Sequence, residues 1–283
     1  MLIPAEVQEW LSSQGFGPVI SALPVPGGCI NHGQRLVASS GHSFFLKTNP
    51  QAPPGMFERE AEGLQALHVP GGPRIPKAYL AGRDFFLLED LKPASPAHDY
   101  WSKLGVQLAA LHRQTGQGFG FSQANYLGST PQPNPWTTDG AAFFGEQRLR
   151  YQARLAESRG LLVPVEMRLV DRLAARLADI IPEQPPSLLH GDLWSGNVLS
   201  GAAGEPALID PAVYYGWAEA ELAMTALFGG FPEEFYRAYQ EAAPLEPGWR
   251  GRFPVYNLYH LLNHLNLFGR AYHADVVAIL QSY

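Results

Sequence analysis

The chain has 283 residues, 46% of them apolar, and a formal net charge of −6. That length allows one large domain or two lobes sharing a cleft. The acidic balance gives no general electrostatic reason to hold nucleic acid or an anionic membrane. The single cysteine, Cys29, rules out an internal disulfide framework and suits a reducing cytoplasm. We expect no secretory signal, because Met1 to Glu6 lacks a basic region followed by an apolar one, and no apolar run nears the roughly 20 residues of a membrane span.

In chain order, Pro4 to Gln14 reads as a helix with Val7, Trp10 and Leu11 on one face and Gly15 as its stop. Gly27-Gly28-Cys29-Ile30-Asn31 reads as a turn into a strand. Its paired glycines would let backbone amides approach phosphate oxygens, although an isolated Gly-Gly is more simply a hairpin turn. Ser43 to Thr48 is a strand whose apolar run ends in Lys47. Phe57 to His68 has helical spacing, and Glu60 on its first turns is placed to pair with that lysine. Glu58 and Glu62 lie on the opposite side, given about 100 degrees per residue. A hairpin, Tyr79 to Ala81 and Phe85 to Glu89, then gives way to a polar connector. The backbone at Glu89 and Leu91 is placed to meet the edge of a nucleotide base.

His98 to His112 is an apolar-periodic helix, with His112 in a structural role. Gln114 to Gly140 is a long, weakly charged loop expected to border the substrate site. Ala141 to Ser158 and Pro164 to Ile180 read as two helices whose Arg-rich faces are expected to be solvated. The stretch His190-Gly191-Asp192-Leu193-Trp194-Ser195-Gly196-Asn197 follows a short apolar strand. A hairpin after it delivers Asp210 at the end of Ala207-Leu208-Ile209. An Asp and an Asn five residues apart, then a strand-end Asp, is the spacing by which kinase-like enzymes supply a base and two Mg2+ ligands. Asp192 is the base of this set, Asn197 and Asp210 are the metal ligands, and His190 braces the loop. Two hard oxygens suit magnesium better than zinc. Three helices follow, Glu219 to Phe228, Glu233 to Ala242 and Pro254 to Phe268. The last carries Asn263 and His264 in a polar-aromatic run that fits either internal packing or a sugar-facing wall.

These motifs resemble the fructosamine kinase, or ketosamine 3-kinase, family over nearly the whole chain. The resemblance is carried by Gly27 to Asn31, Phe44 to Asn49, Gly128 to Asn134, Leu189 to Asn197, Asp210 to Gly216 and Leu261 to Gly269. Aminoglycoside and choline kinases share the His-Gly-Asp and Asn pattern but not the full string around Trp194. The resemblance implies an α+β, bilobal protein-kinase-like fold, with a small N-terminal antiparallel-sheet lobe over residues 1–90 and a larger, mostly helical lobe over 91–283. It implies ATP and Mg2+ as cofactors, and phosphorylation of the sugar 3-hydroxyl of a small ketosamine or a glycated protein lysine. The unstable 3-phosphate is then lost and the amine freed. It also implies that Trp194 lies against the sugar, and that Cys29 is a thiol through which oxidation links two chains. The alternatives are an aminoglycoside- or choline-like phosphotransferase and a catalytically silent nucleotide-binding module. Glu221 is expected to lie clear of the chemistry.

Overall fold

The computed structural model describes residues 3–26 and 31–283. Helix α1, Ala5–Ser13, buries Val7 and Leu11 against one face of an antiparallel sheet. The sheet is built from β1, Val19–Val25, β2, His32–Ala38, β3, Ser43–Thr48, β4, Ala78–Ala81, and β5, Phe85–Glu89, in the order β1-β2-β3-β5-β4. Alternation of side chains along β3 sends Phe44 and Leu46 to that core, and Lys47 sits opposite Phe86 of β5. Strand β1 is absent from the sequence reading. It is an edge strand with Ile20 and Leu23 exposed, so it lacks the apolar alternation that marks a half-buried strand.

Helix α2, Met56–Ala66, crosses the other face of the sheet. Phe57 and Leu64 enter a second core with Phe86 and Leu88, and that core continues into the helical part of the chain through Leu104, Leu108, Leu188 and Leu222. Full burial of side chains of this size contributes about 2 kcal/mol each, so the sheet and the helical lobe are welded through α2. Gly63 of α2 lies against the segment after Asp210, where an added Cβ would come within 3.1 Å of Val213 Cγ2.

The larger lobe begins with α3, Tyr100–His112, and includes a short hairpin, β6, Asn125–Leu127, with β7, Thr130–Gln132. Helix α4, Gly140–Phe143, runs through a π-helical stretch, Phe144–Arg150, into α5, Tyr151–Ser158. The expected second helix is broken at Arg176 into α6, Pro164–Ala175, and α7, Leu177–Ile180. Strand β8, Ser187–Leu189, leads to the central loop. Strands β9, Val198–Ser200, and β10, Pro206–Leu208, form the anticipated hairpin, and β11, Tyr214–Gly216, pairs back with β8. Helices α8, Ala218–Leu227, α9, Glu233–Ala242, α10, Phe253–Phe268, and α11, His273–Gln281, complete the lobe. Helix α3 packs on α9 at Gly105, where a Cβ would stand 2.4 Å from the Phe235 carbonyl oxygen. Among the described residues no helix is long and apolar enough to cross a membrane.

Buried polar groups accompany α10. His260 is 5% exposed and its Nδ1 has no hydrogen-bond partner among the described residues. Burial first, then the nearby His264 and Arg148, pushes its pKa down from 6.5 to about 3. Unfolded, the same imidazole takes up a proton near pH 6.5. The stability its neutral form permits is therefore complete above that pH and is lost as the pH falls toward 3, at up to about 1.4 kcal/mol per pH unit. His260→Leu is expected to flatten the fall of Tm between about pH 6.5 and pH 4. An unchanged slope would show that His260 does not carry this sensitivity.

Candidate active site

The central loop is held from behind by a buried carboxylate. Glu221, on the first turns of α8, accepts hydrogen bonds from the backbone N–H of Gly191 at 2.7 Å and of His190 at 3.0 Å, while His112 Nε2 lies 2.9 Å from the same carboxylate. Burial pushes the Glu221 pKa up, but the His112 hydrogen bond and the surrounding donors outweigh it and hold the group below the usual carboxylate range. This corrects the expectation that Glu221 stands clear of the chemistry: it contacts the backbone immediately before Asp192. His112 does have a structural place, bridging Glu221 and Tyr239 Oη. His190 braces the loop as anticipated. Its Nε2 donates to the Ile209 carbonyl at 2.8 Å, its Nδ1 accepts from the Asp192 amide at 3.3 Å, and burial lowers its pKa, consistent with a neutral ring. Gly191 has φ +85°, and a Cβ there would lie 2.0 Å from the Ala212 carbonyl oxygen, so the turn requires glycine.

Asn197 Nδ2 donates to the Asp192 backbone oxygen at 2.7 Å and to its carboxylate at 3.2 Å, which fixes the side chain of Asp192. Desolvation, followed by the Asp210 charge, raises the Asp192 pKa to about 7. The β9–β10 hairpin brings Asn197 beside the Asp210 strand end, with Ile209 N–H donating to the Asn197 carbonyl at 3.1 Å. Asp210 has φ +57°, a left-handed conformation that Asp tolerates better than most residues and that is enriched where the backbone is strained for function.

Lys47 joins the two lobes at this point. Its Nζ donates to Glu60 Oε1 at 2.5 Å and to Asp210 Oδ1. Glu60 is the partner that the helical spacing favours. Glu62 instead pairs with Arg59 on the surface at 2.7 Å. The two carboxylates hold the Lys47 pKa above its usual value against desolvation, so it stays a cation. A cleft opens beside it, walled by Val25, Phe45, Leu64, Leu88, Leu199 and Ile209 and edged by Glu89, Asp90 and Leu91. At this edge the Glu89 amide donates to the Lys77 carbonyl at 2.9 Å, and its carboxylate faces Arg74 at 2.5 Å. Glu89 thus commits its N–H and its side chain here, and both Glu89 and Leu91 line the cleft. Asn31 is tied by its Oδ1 to Asn49 Nδ2 at 3.1 Å, just past the end of β3. Gly27, Gly28 and Cys29, the expected phosphate loop, lie outside the described residues.

On the far side of Asp192, Trp194 is 36% exposed and His264 is half-buried in ring contact with Phe228 at 4.7 Å. Asn263 is not part of this surface. It is 2% exposed and accepts from Gln152 Nε2 at 3.3 Å, because one step along α10 turns it about 100 degrees, toward α5. The long loop is also not a plain substrate border. Its hairpin clasps the segment after Asp210, with Gln132 donating to the Ala212 carbonyl at 3.0 Å and Asn125 to the Val213 carbonyl at 2.7 Å.

Arg148 secures that hairpin through Asn134 Oδ1 at 2.7 Å and the Pro133 carbonyl at 2.8 Å. Its guanidinium lies 4.1 Å from the Tyr214 ring centre and 4.5 Å from that of Phe143. It is wholly buried, contrary to the solvated Arg face expected of this helix. The π-helical stretch changes which residues face inward, a shift that a regular helical period does not reveal. Removing the Glu221 carboxylate strands two backbone amides and a histidine in the interior. Glu221→Ala is therefore expected to cost about 3 kcal/mol of stability and to lower kcat more than the KM for nucleotide. Denaturant unfolding and steady-state kinetics check both, and a variant with wild-type stability would contradict the bracing role.

The fructosamine kinase family profile matches residues 5–283. A probable ketoamine kinase of Synechocystis is 44% identical, with 91% of this chain and 88% of that protein covered. The chloroplastic protein-ribulosamine 3-kinase of Arabidopsis thaliana is 37% identical over 98% of this chain and 87% of its own. Among solved structures, a Thermobifida fusca protein proposed to be a fructosamine-3-kinase superposes with a TM-score of 0.89 at 33% identity, covering 99% of both chains. A choline kinase of Streptococcus pneumoniae shares the fold alone, with a TM-score of 0.63 at 16% identity over 98% of each chain. The architecture is thus the α+β bilobal protein-kinase-like fold, and the chain belongs to the fructosamine kinase family.

Proposed function

We propose that this chain is an ATP-dependent ketosamine 3-kinase, transferring the γ-phosphoryl group to the sugar 3-hydroxyl of a fructosamine- or ribulosamine-type substrate. The observation that supports it most is the meeting of Lys47, Glu60 and Asp210 at the floor of an apolar cleft, with Asp192 and the exposed Trp194 on the next loop. Family membership favours ketosamines over aminoglycosides or choline. The intact Lys47, Glu60, Asp192, Asn197 and Asp210 set argues against a silent nucleotide-binding module.

In this reading the apolar walls of the cleft take the adenine and the Leu91 amide meets its edge. Lys47, held by Glu60, contacts the phosphates, and the sequence assigns Gly27, Gly28, Cys29 and Asn31 to the same nucleotide. Asn197 and Asp210 fit Mg2+. The amide nitrogen of Asn197 is spent on Asp192, which leaves its carbonyl oxygen, and Asp210 supplies a carboxylate that is 40% exposed. No cluster of three His, Cys, Asp or Glu side chains competes for a softer metal among the described residues. When bound, Mg2+ supplies neutralisation of the charge that builds on the phosphate oxygens. Asp192, oriented by Asn197 and already desolvated, aligns the 3-hydroxyl and accepts its proton. Trp194 packs against the sugar, with His264 beyond it. Enolisation of the C2 ketone toward C1 removes a C1 proton and expels the C3 phosphate, and water then hydrolyses the resulting C1 imine, which releases the amine and a dicarbonyl sugar. A reducing cytoplasm is the compartment that suits the lone thiol.

Asp192→Ala is expected to abolish transfer, by at least about 1,000-fold in kcat, while ATP binding measured by calorimetry survives. Wild-type turnover would exclude Asp192 as the base. An ATP-consumption panel of fructosamine, ribulosamine, erythrulosamine, aminoglycosides and choline tests the substrate class. Turnover of another alcohol and of no ketosamine would overturn the reading. For Cys29, peroxide treatment is expected to produce a thiol-reducible dimer with weakened ATP use. A monomer of unchanged activity would remove the redox proposal and leave the kinase reading intact.

A further inference from the structure

The β9–β10 hairpin carries more than Asn197 and Asp210 at its ends. Its Leu199, with Ile209 just after it, walls the cleft beside Lys47, and Glu89, Asp90, Leu91 and Pro93 of the connector line the edge. A planar base seated there meets hairpin and connector at once, so its fit depends on how the two are held relative to each other. They are joined directly. The Ala97 amide donates to the Gly204 carbonyl at 3.0 Å, the Ala94 amide donates to the Gly201 carbonyl at 3.3 Å, and the Ser200 hydroxyl donates to the Ala94 carbonyl.

Arg74, in the loop between α2 and β4, closes this joint from outside. Its backbone runs parallel to β10, with its N–H donating to the Pro206 carbonyl at 3.4 Å and its carbonyl accepting from the Leu208 N–H at 2.9 Å. Its guanidinium forks between two carboxylates. Nη2 donates to Glu89 Oε1 at 2.5 Å, where the connector begins, and Nε lies 3.5 Å from Glu205 Oε1 beside the hairpin turn. The other oxygen of Glu89 accepts from the Lys77 amide at 3.2 Å, and that of Glu205 accepts from the Ala203 amide at 2.9 Å. Neither carboxylate turns away without losing a bond, so one cation holds together two like charges from the two sides of the joint. Such partly exposed ion pairs each add little to stability. Their effect is on register, because without the cation the two carboxylates repel and push the connector off the hairpin. Arg74 lines the outer surface with His68 and Lys77 rather than the cleft, so it acts on a nucleotide only through Glu89 and Glu205.

We propose that Arg74 is a positioning residue for the nucleotide base: by bridging Glu89 and Glu205 it keeps the connector edge in register with the hairpin wall, and this register makes the cleft select adenine over guanine. The proposal rests on the ATP reading above and adds what sets base selectivity at the same site. A donor such as the Leu91 N–H matches the bare N1 of adenine, whereas N1 of guanine carries a proton and sets donor against donor. An edge that is fixed rejects guanine for that reason. An edge that is free to shift yields to it, and holds adenine less well.

The test is displacement of a fluorescent ATP analogue by ATP and by GTP, with Mg2+ present, from wild type, Arg74→Gln and Arg74→Lys, with Tm measured alongside. Wild type is expected to bind ATP more tightly than GTP. Arg74→Gln reduces that ratio about fivefold, chiefly through weaker ATP, while Arg74→Lys, which keeps a cation between the carboxylates, holds it within about twofold. An unchanged ratio in Arg74→Gln would overturn the proposal. So would an equal loss of ATP and GTP affinity, which is what a merely structural role produces, or a ratio lost as fully in Arg74→Lys. Equal binding of ATP and GTP by wild type would overturn it and leave the ketosamine reading standing. Binding of neither would remove the kinase reading and the proposal with it.

Discussion

The Glu221 carboxylate, sunk between α3 and the central loop, is the contact on which the geometry of the candidate site depends. A buried carboxylate is costly unless its lone pairs are filled, and here two backbone N–H groups and an imidazole fill them. Each hydrogen bond to a charged group contributes roughly 1.5 to 3 kcal/mol, so together they offset desolvation and leave the loop backbone no freedom just ahead of Asp192. The same loop is closed from the other side by His190 on Ile209 and by the Ala212 amide on the His190 carbonyl. Asp192 is thus positioned by backbone held on both sides, and its own carboxylate accepts from Asn197.

A second constraint links this loop to the sheet. Lys47 on β3 reaches Glu60 on α2 and Asp210 on the hairpin, so three elements from two lobes share one cation. Helix α2 can serve both lobes because its apolar face lies in the core that runs from Phe86 to Leu222, and because Gly63 lets it approach Val213. Beneath Asp210 the β6–β7 hairpin and Arg148 complete a buried polar network that ties residues 212–213 in place. The left-handed backbone at Asp210 is held by these surroundings rather than by local preference.

The parts of the site readable in the sequence are those set by short-range geometry. Lys47 at a strand end, Glu60 at helical spacing, and Asp192, Asn197 and Asp210 around a hairpin each follow from local periods and turns. What escaped the sequence depends on contacts across the fold. Glu221 acts on residues about thirty positions earlier. Arg148 is turned inward by a π-helical stretch, and the Gln132 clasp comes from a strand of only three residues. Asn263 and His264 are adjacent and equally polar, so only the packing of α10 on α5 separates a core amide from a ring at the surface.

The central claim of the proposed ketosamine 3-kinase reading is where on the substrate the phosphate arrives. The most direct measurement is phosphorus–proton NMR of the product formed from fructosyl-lysine and ATP. The account predicts a single phosphate coupled to the proton on C3, followed by release of free lysine as that product decays. Phosphate on any other hydroxyl, or a stable product that retains the amine, would contradict it.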